Sequence, residues 1–155
     1  METIQNNEFL PLDRYPSFGK LHPPQKKELV NKISELFTKG KNEKWLIPES
    51  ELNMKEKIGE GNFSLVHECI WRGLPIAVKK IKLKKIALLK DLLHEIDLWS
   101  GIRHPNLVQF LGVSYDSREN EFYLLMEKID GVNITQFMQK KTMSALSEKK
   151  KFFIC

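Results

Sequence analysis

Residues 58 to 79 read Ile-Gly-Glu-Gly-Asn-Phe-Ser-Leu-Val-His-Glu-Cys-Ile-Trp-Arg-Gly-Leu-Pro-Ile-Ala-Val-Lys, and this stretch constrains the fold more than any other. Gly59 and Gly61 stand two apart, so the turn between them can take dihedrals closed to other residues. With no Cβ in the way, its backbone can also approach a ligand, and its exposed amides suit phosphate oxygens. Val66 lies on the run leaving the turn. Leu65 to Trp71 is rich in β-branched, apolar and aromatic residues, which fits a pleated strand. Arg72-Gly73-Leu74-Pro75 reads as a turn and Ile76 to Ile81 as a third strand. Lys79 sits on that strand, where one ammonium could reach a phosphate. The spacing predicts a β-meander, with Leu52, Met54 and Ile58 on the strand before the glycines.

The flanks have a different character. Residues 1 to 23 contain Pro11, Pro16 and Pro23 and few periodic apolar positions, which predicts a flexible, extended leader. Residues 24 to 45 carry an amphipathic helix and a linker. Leu29, Ile33, Leu36 and Phe37 fall at i, i+4, i+7 and i+8, with Pro24 suited to the first turn and Gly40 to the stop. That face either binds a partner or packs on the following domain. Residues 86 to 102 form the strongest helical pattern, with Leu89, Leu92, Leu93, Ile96 and Trp99 as its apolar face and Glu95 beside it. His104-Pro105-Asn106 ends it. Leu107 to Val113 and Phe122 to Met126 read as fourth and fifth strands around a polar turn, Asp116 to Asn120. Glu127 to Val132 is a linker, and Ile134 to Lys141 and Leu146 to Cys155 are amphipathic.

Meander, helix and two more strands make an α+β unit, five strands with one crossing helix. In this order the motifs resemble the small N-terminal lobe of the protein kinase family, from about residue 52 to 155. Gly59-Glu60-Gly61-Asn62-Phe63-Ser64-Leu65-Val66 is similar to that family's glycine-rich loop, and Ile76-Ala77-Val78-Lys79 to its Val-Ala-Ile-Lys segment. Residues 52 to 131 would then be the small lobe with its hinge, and 132 to 155 the start of a large lobe. The resemblance implies ATP as the bound nucleotide. Lys79 would hold its α- and β-phosphates, and Glu95 would hold Lys79. Without its carboxylate a partly buried ammonium is costly to keep in place. Ile58, Gly59 and Gly61 would cover the nucleotide. Val66 and Ala77 would line the adenine pocket, and Met126 would stand at its back. The backbone of Glu127 and Ile129 would bond the adenine edge, and Asn133 would touch the ribose. Ser64 departs from the pattern by replacing the third glycine. Trp71-Arg72-Gly73, Trp99 and Arg103 to Val108 look most like the tyrosine-kinase-like group, whose members mostly phosphorylate serine and threonine.

Other glycine-loop devices fail on context. A dinucleotide fingerprint needs a helix after its glycines, and a Walker A loop needs Gly-Lys-Ser or Gly-Lys-Thr. A structural hairpin without a ligand stays open. The net charge of +5, from 25 basic and 20 acidic residues spread along the chain, reads as a solvated surface. The run Lys80, Lys82, Lys84 and Lys85 reads as a wet loop, so no nucleic-acid partner is expected. No apolar run reaches the length of a membrane span. Cys69 and Cys155 lack metal-ligand or disulfide spacing, which points to the reducing cytoplasm.

No His-Arg-Asp and no Asp-Phe-Gly occurs in these 155 residues. The family's catalytic aspartate and its Mg²⁺-holding aspartate are therefore missing, no catalytic or metal-binding residue is assigned, and Mg²⁺ is expected only with a large lobe. The expectation is a protein kinase represented by its ATP-binding portion and inactive alone, with a protein substrate. The alternative is a non-catalytic module that binds a kinase or scaffold.

Overall fold

The computed structural model describes residues 10–62, 64–132 and 134–140. Five strands form one antiparallel sheet in the order β1-β2-β3-β5-β4: β1 Leu52–Glu60, β2 Ser64–Trp71, β3 Leu74–Lys82, β4 Phe110–Asp116 and β5 Glu121–Glu127. Between β3 and β4 runs α2, Ile86–Ser100; α1, Pro23–Asn42, precedes the sheet, and α3, Ile134–Lys140, follows it. The α+β architecture is the expected one.

Local sequence explains the turns. Arg72 and Gly73 take φ of 50° and 79°, the two left-handed positions of a tight hairpin loop, and Trp71 pairs with Leu74 across it. The β4–β5 turn is pinned by Asp116, whose Oδ1 accepts the N–H groups of Arg118 at 2.8 Å and Glu119 at 3.3 Å. Burial by itself would raise the Asp116 carboxyl. These bonds and one from the Tyr123 hydroxyl outweigh it and hold the group below its usual range.

The expected face of α1 is the buried one: Leu29, Ile33, Leu36 and Phe37, with Gly40. It joins Leu89, Leu92, Leu93 and Ile96 of α2 and Phe122 and Leu124 of β5 in one core. Residues 10 to 21, expected as a flexible leader, depart from that reading. Leu10, Leu12 and Tyr15 are each 1% exposed and Phe18 is buried in the same core. The apolar spacing there follows an irregular path with a single 3₁₀ turn, Leu12–Arg14, so no period reveals it.

After α1 the chain reverses at Lys44, φ 65°, and residues 45 to 47 run along the outer edge of β4. Ile47 N–H donates to the Val113 carbonyl and Val113 N–H to the Trp45 carbonyl, both at 2.8 Å. The sheet edge is thereby covered. A Cβ on Gly112 would lie 2.5 Å from the Trp45 carbonyl oxygen, so this approach requires glycine.

The fourth strand is shifted from its expected span, Leu107 to Val113, to Phe110–Asp116. Leu107 N–H turns back to the His104 carbonyl, and the Val108 carbonyl accepts Trp99 Nε1–H at 3.1 Å, so neither joins the ladder. Tyr115 and Asp116 do, opposite Phe122 and Glu121. The helix expected to reach Ile102 ends at Ser100, where Gly101 N–H bonds back to Leu98. Glu127 belongs to β5 rather than to the linker. Phe63, Asn133 and the amphipathic stretch Leu146 to Cys155 lie outside the described residues.

Candidate functional site

The β1–β2 turn is closed by a 2.8 Å bond from Gly61 N–H to the Ser64 carbonyl. Among the described glycines only Gly73 has a positive φ, so Gly59 and Gly61 do not rely on left-handed dihedrals. What they contribute is the missing side chain. A Cβ on Gly61 would come to 3.0 Å from Ser64 Oγ, and one on Gly59 to 3.5 Å from Val66 Cβ.

The ladder aligns the next residues. Gly59 pairs with Val66, Val66 with Lys79 and Lys79 with Leu124, giving one row across four strands. Paired residues share a face of the sheet. Val66 is half-buried against the core formed with α1 and α2, and Lys79 is half-buried beside it. Two positions along, Ala77 pairs with Met126. Ala77 is fully covered and Met126 is 6% exposed, so both are core residues in this conformation. Ile58 is 47% exposed on the strand entering the turn.

Glu95 lies on an exposed part of α2, and no ion pair within 4.0 Å joins it to Lys79. The structure thus brings Gly59, Val66 and Lys79 into one row and leaves Glu95 apart from it. Asp97, two residues on, pairs instead with Lys39 of α1 at 3.4 Å.

At the end of β5, Glu127 N–H donates to the Gln109 carbonyl at 3.0 Å, and Gln109 N–H donates to Glu127 Oε1 at 2.9 Å. This reciprocal pair fixes the start of the linker, and any bond from the Glu127 backbone to a ligand would use its carbonyl. Ile129 is half-buried one turn of chain further on. A concavity of about 410 Å³ beside this junction is lined by Arg103, His104, Pro105, Leu107, Gln109 and Glu127. Lys128 Nζ reaches Glu68 Oε2 at 3.3 Å and ties the linker to β2. Neither contact was legible in the sequence, because each joins residues with no local pattern in common. Among the described residues no group of three or more His, Cys, Asp or Glu is placed to hold a metal ion.

The pattern that defines the protein kinase domain matches residues 52–155. The chain belongs to the protein kinase family. Among its relatives, tyrosine-protein kinase Abl of Drosophila melanogaster is 34% identical over 110 residues, 68% of this chain and 7% of that protein. Serine/threonine-protein kinase VIK of Arabidopsis thaliana is 35% identical over 103 residues, 63% of this chain and 23% of that protein. Mitogen-activated protein kinase kinase kinase 7 of Drosophila melanogaster is 33% identical over 98 residues, 63% of this chain and 14% of that protein. The kinase-family chain therefore spans less than a quarter of each of these relatives. Its family match begins where β1 begins, so residues 10 to 48, which complete its core, lie outside the matched domain. No helix among the described residues is long and apolar enough to cross a membrane.

Proposed function

We propose that this chain is the nucleotide-holding part of a protein kinase that transfers the γ-phosphoryl group of ATP to a serine or threonine hydroxyl of a protein. The observation that supports it most is the row Gly59, Val66 and Lys79 across three strands. It sets a side-chain-free turn, an apolar surface and a half-buried ammonium in sequence, the order in which phosphate and base must be met. ATP lies beneath Gly59 to Val66 with Ile58 over it. The adenine rests against Val66 and Ala77 with Met126 behind, and its edge bonds the backbone of Glu127 and Ile129. Lys79 neutralises phosphate charge. Glu95 swings in to hold Lys79, which requires α2 to move from its present setting. Asn133 meets the ribose.

Phosphoryl transfer depends on positioning and electrostatic stabilisation. These residues bind and orient the nucleotide. The 155 residues contain no His-Arg-Asp and no Asp-Phe-Gly, so no bond-making step is proposed for them. The site is proposed to act in the cytoplasm.

The test is displacement of a fluorescent ATP analogue from the 155-residue chain, with Lys79→Met as the comparison. Saturable binding that falls at least about tenfold in Lys79→Met is expected, since a charge-assisted contact to phosphate is worth roughly 1.5–3 kcal/mol. Equal binding by both proteins would remove the nucleotide reading. A second reading, a non-catalytic module that binds a kinase or scaffold, draws support from Glu95 standing apart from Lys79. It requires that neither protein bind nucleotide.

A further inference from the structure

The surface proposed for the adenine is closed in this structure. Ala77 has no exposed area and Met126 is nearly covered, yet a base seated beside Val66 has to meet them. Glu68 pairs with Ala77 across β2 and β3, and Ala77 with Met126 across β3 and β5, so the three share one face of the sheet. A carboxylate is thereby set in a row with two core residues. Its partner comes from beyond β5, where Lys128 Nζ reaches Glu68 Oε2 at 3.3 Å. Lys128 stands two positions past Met126, and β3 is the strand that separates β5 from β2. With neighbouring strands about 4.8 Å apart, the two backbones are separated by about 10 Å. The pair therefore closes with the lysine stem laid across β3, the strand that carries Ala77. Methylenes covering apolar surface while the ammonium meets a charge is how a lysine serves such a place. The side chains of Lys128 and Glu68 keep 28% and 30% of their surface, so the bridge lies at the rim of the core and can part into water.

We propose that Glu68 and Lys128 form a removable ionic cover on the base side of the cleft. While paired they close the face of Ala77, and a purine base enters only when the pair parts. An ion pair this open to solvent favours the closed state by about fivefold or less. A ligand that binds only the open state has its apparent affinity reduced by the open fraction, so the cover tunes entry and does not forbid it. The inference rests on the nucleotide-holding reading for what enters, but the cover itself is a statement about the exposure of Ala77.

The experiment uses the 155-residue chain with its alanine methyls isotopically labelled. A neutral soluble gadolinium chelate reads exposure of the Ala77 methyl by NMR relaxation. Adenosine is the ligand, because it carries no phosphate that would respond to a change of charge. In the wild type the methyl is expected to be shielded. Glu68→Gln and Lys128→Gln should each raise its relaxation enhancement at least about twofold and tighten adenosine binding about two- to fivefold. The charge swap Glu68→Lys with Lys128→Glu should return both readings to the wild-type level, which a merely structural role for either residue would not do. Should a single variant fail to fold, Glu68→Asp carries the test, since it keeps the charge, shortens the reach and is expected to behave as Glu68→Gln. A methyl as shielded in the folded variants as in wild type overturns the cover, because other side chains would then close Ala77. Weaker adenosine binding in both single variants, or a swap that restores nothing, overturns it as well. If the methyl becomes exposed yet no variant binds adenosine or ATP, the cover stands and the nucleotide reading fails. If every variant binds equally while the methyl stays shielded, the nucleotide reading stands and the cover falls.

Discussion

At the β4–β5 end of the sheet, residues 45 to 47 bond along the outer strand, while α1, α2 and the segment 10 to 21 fill one face with aromatic and aliphatic side chains. At the β1–β2 end Ile58, Leu65 and Leu74 are exposed, and β1 carries register shifts between Met54 and Lys57 and between Lys57 and Gly59. Among the described residues the opposite face of the sheet holds a small cluster around Cys69, Val78, Tyr123 and Leu125. The glycine turn thus stands at the thinly packed end, while Ala77 and Met126 of the candidate site belong to the packed core. Packing that rewards burial must exclude a ligand, whereas a turn that receives phosphate must keep its amides and its mobility. Local stability falls where buried apolar contact is thin.

Changes at the buried end should have the largest effect. Phe37→Ala removes an aromatic ring that touches Phe122 and is expected to cost about 3–5 kcal/mol. Urea unfolding should still be a single transition. If α1 melted separately while the sheet kept its midpoint, residues 10 to 48 would not be part of the lobe. Gly112→Ala should cost roughly 1–3 kcal/mol, because its methyl meets a carbonyl rather than a flexible side chain. An unchanged urea midpoint would mean that residues 45 to 47 are not seated there.

Asp116→Ala leaves the buried Tyr123 hydroxyl and two backbone amides without their acceptor and should cost about 1–3 kcal/mol near neutral pH. Because this carboxyl is held below 3.8, its contribution is present above that pH and fades as the solution is acidified through the folded value. The variant should therefore lose part of its deficit to wild type in acid, and a deficit independent of pH would argue against the charge. Tyr15 gives a smaller, alkaline signature. Burial pushes its phenol up from 10.0 to about 12, so its stabilising effect is full below pH 10 and is lost as pH rises from 10 towards 12. Tyr15→Phe should flatten that part of the thermal-stability profile. At the open end, Gly61→Val should change stability by no more than about 0.5 kcal/mol yet weaken nucleotide binding. A large loss of stability would show the turn to be structural.

The sequence was most legible where one period ran through contiguous residues. The stripe Leu29, Ile33, Leu36, Phe37 and the face from Leu89 to Trp99 were both readable from helical spacing, and both are packed in the core. The glycine turn and the following hairpin were readable from residue type. Leu10, Leu12, Tyr15 and Phe18 were not, because they are buried along irregular backbone and prolines among them mimic an extended leader. Residues 45 to 47 meet the sheet through an isolated bridge to Val113, and Gln109 meets Glu127 through the β4–β5 register. Spacing also placed Glu95 beside the apolar face of α2, where it is exposed and makes no ion pair with Lys79. Long-range pairing leaves no mark in a local window.

The most direct test of the central claim is an NMR titration of the isotopically labelled 155-residue chain with ATP, following backbone amides. Amide shifts are expected along Gly59 to Val66, Ala77 to Lys79 and Met126 to Ile129, and Lys79→Met should abolish those of the glycine turn. Shifts confined to the exposed lysines from Lys80 to Lys85, or none at millimolar nucleotide, would contradict a nucleotide site at the open end of the sheet.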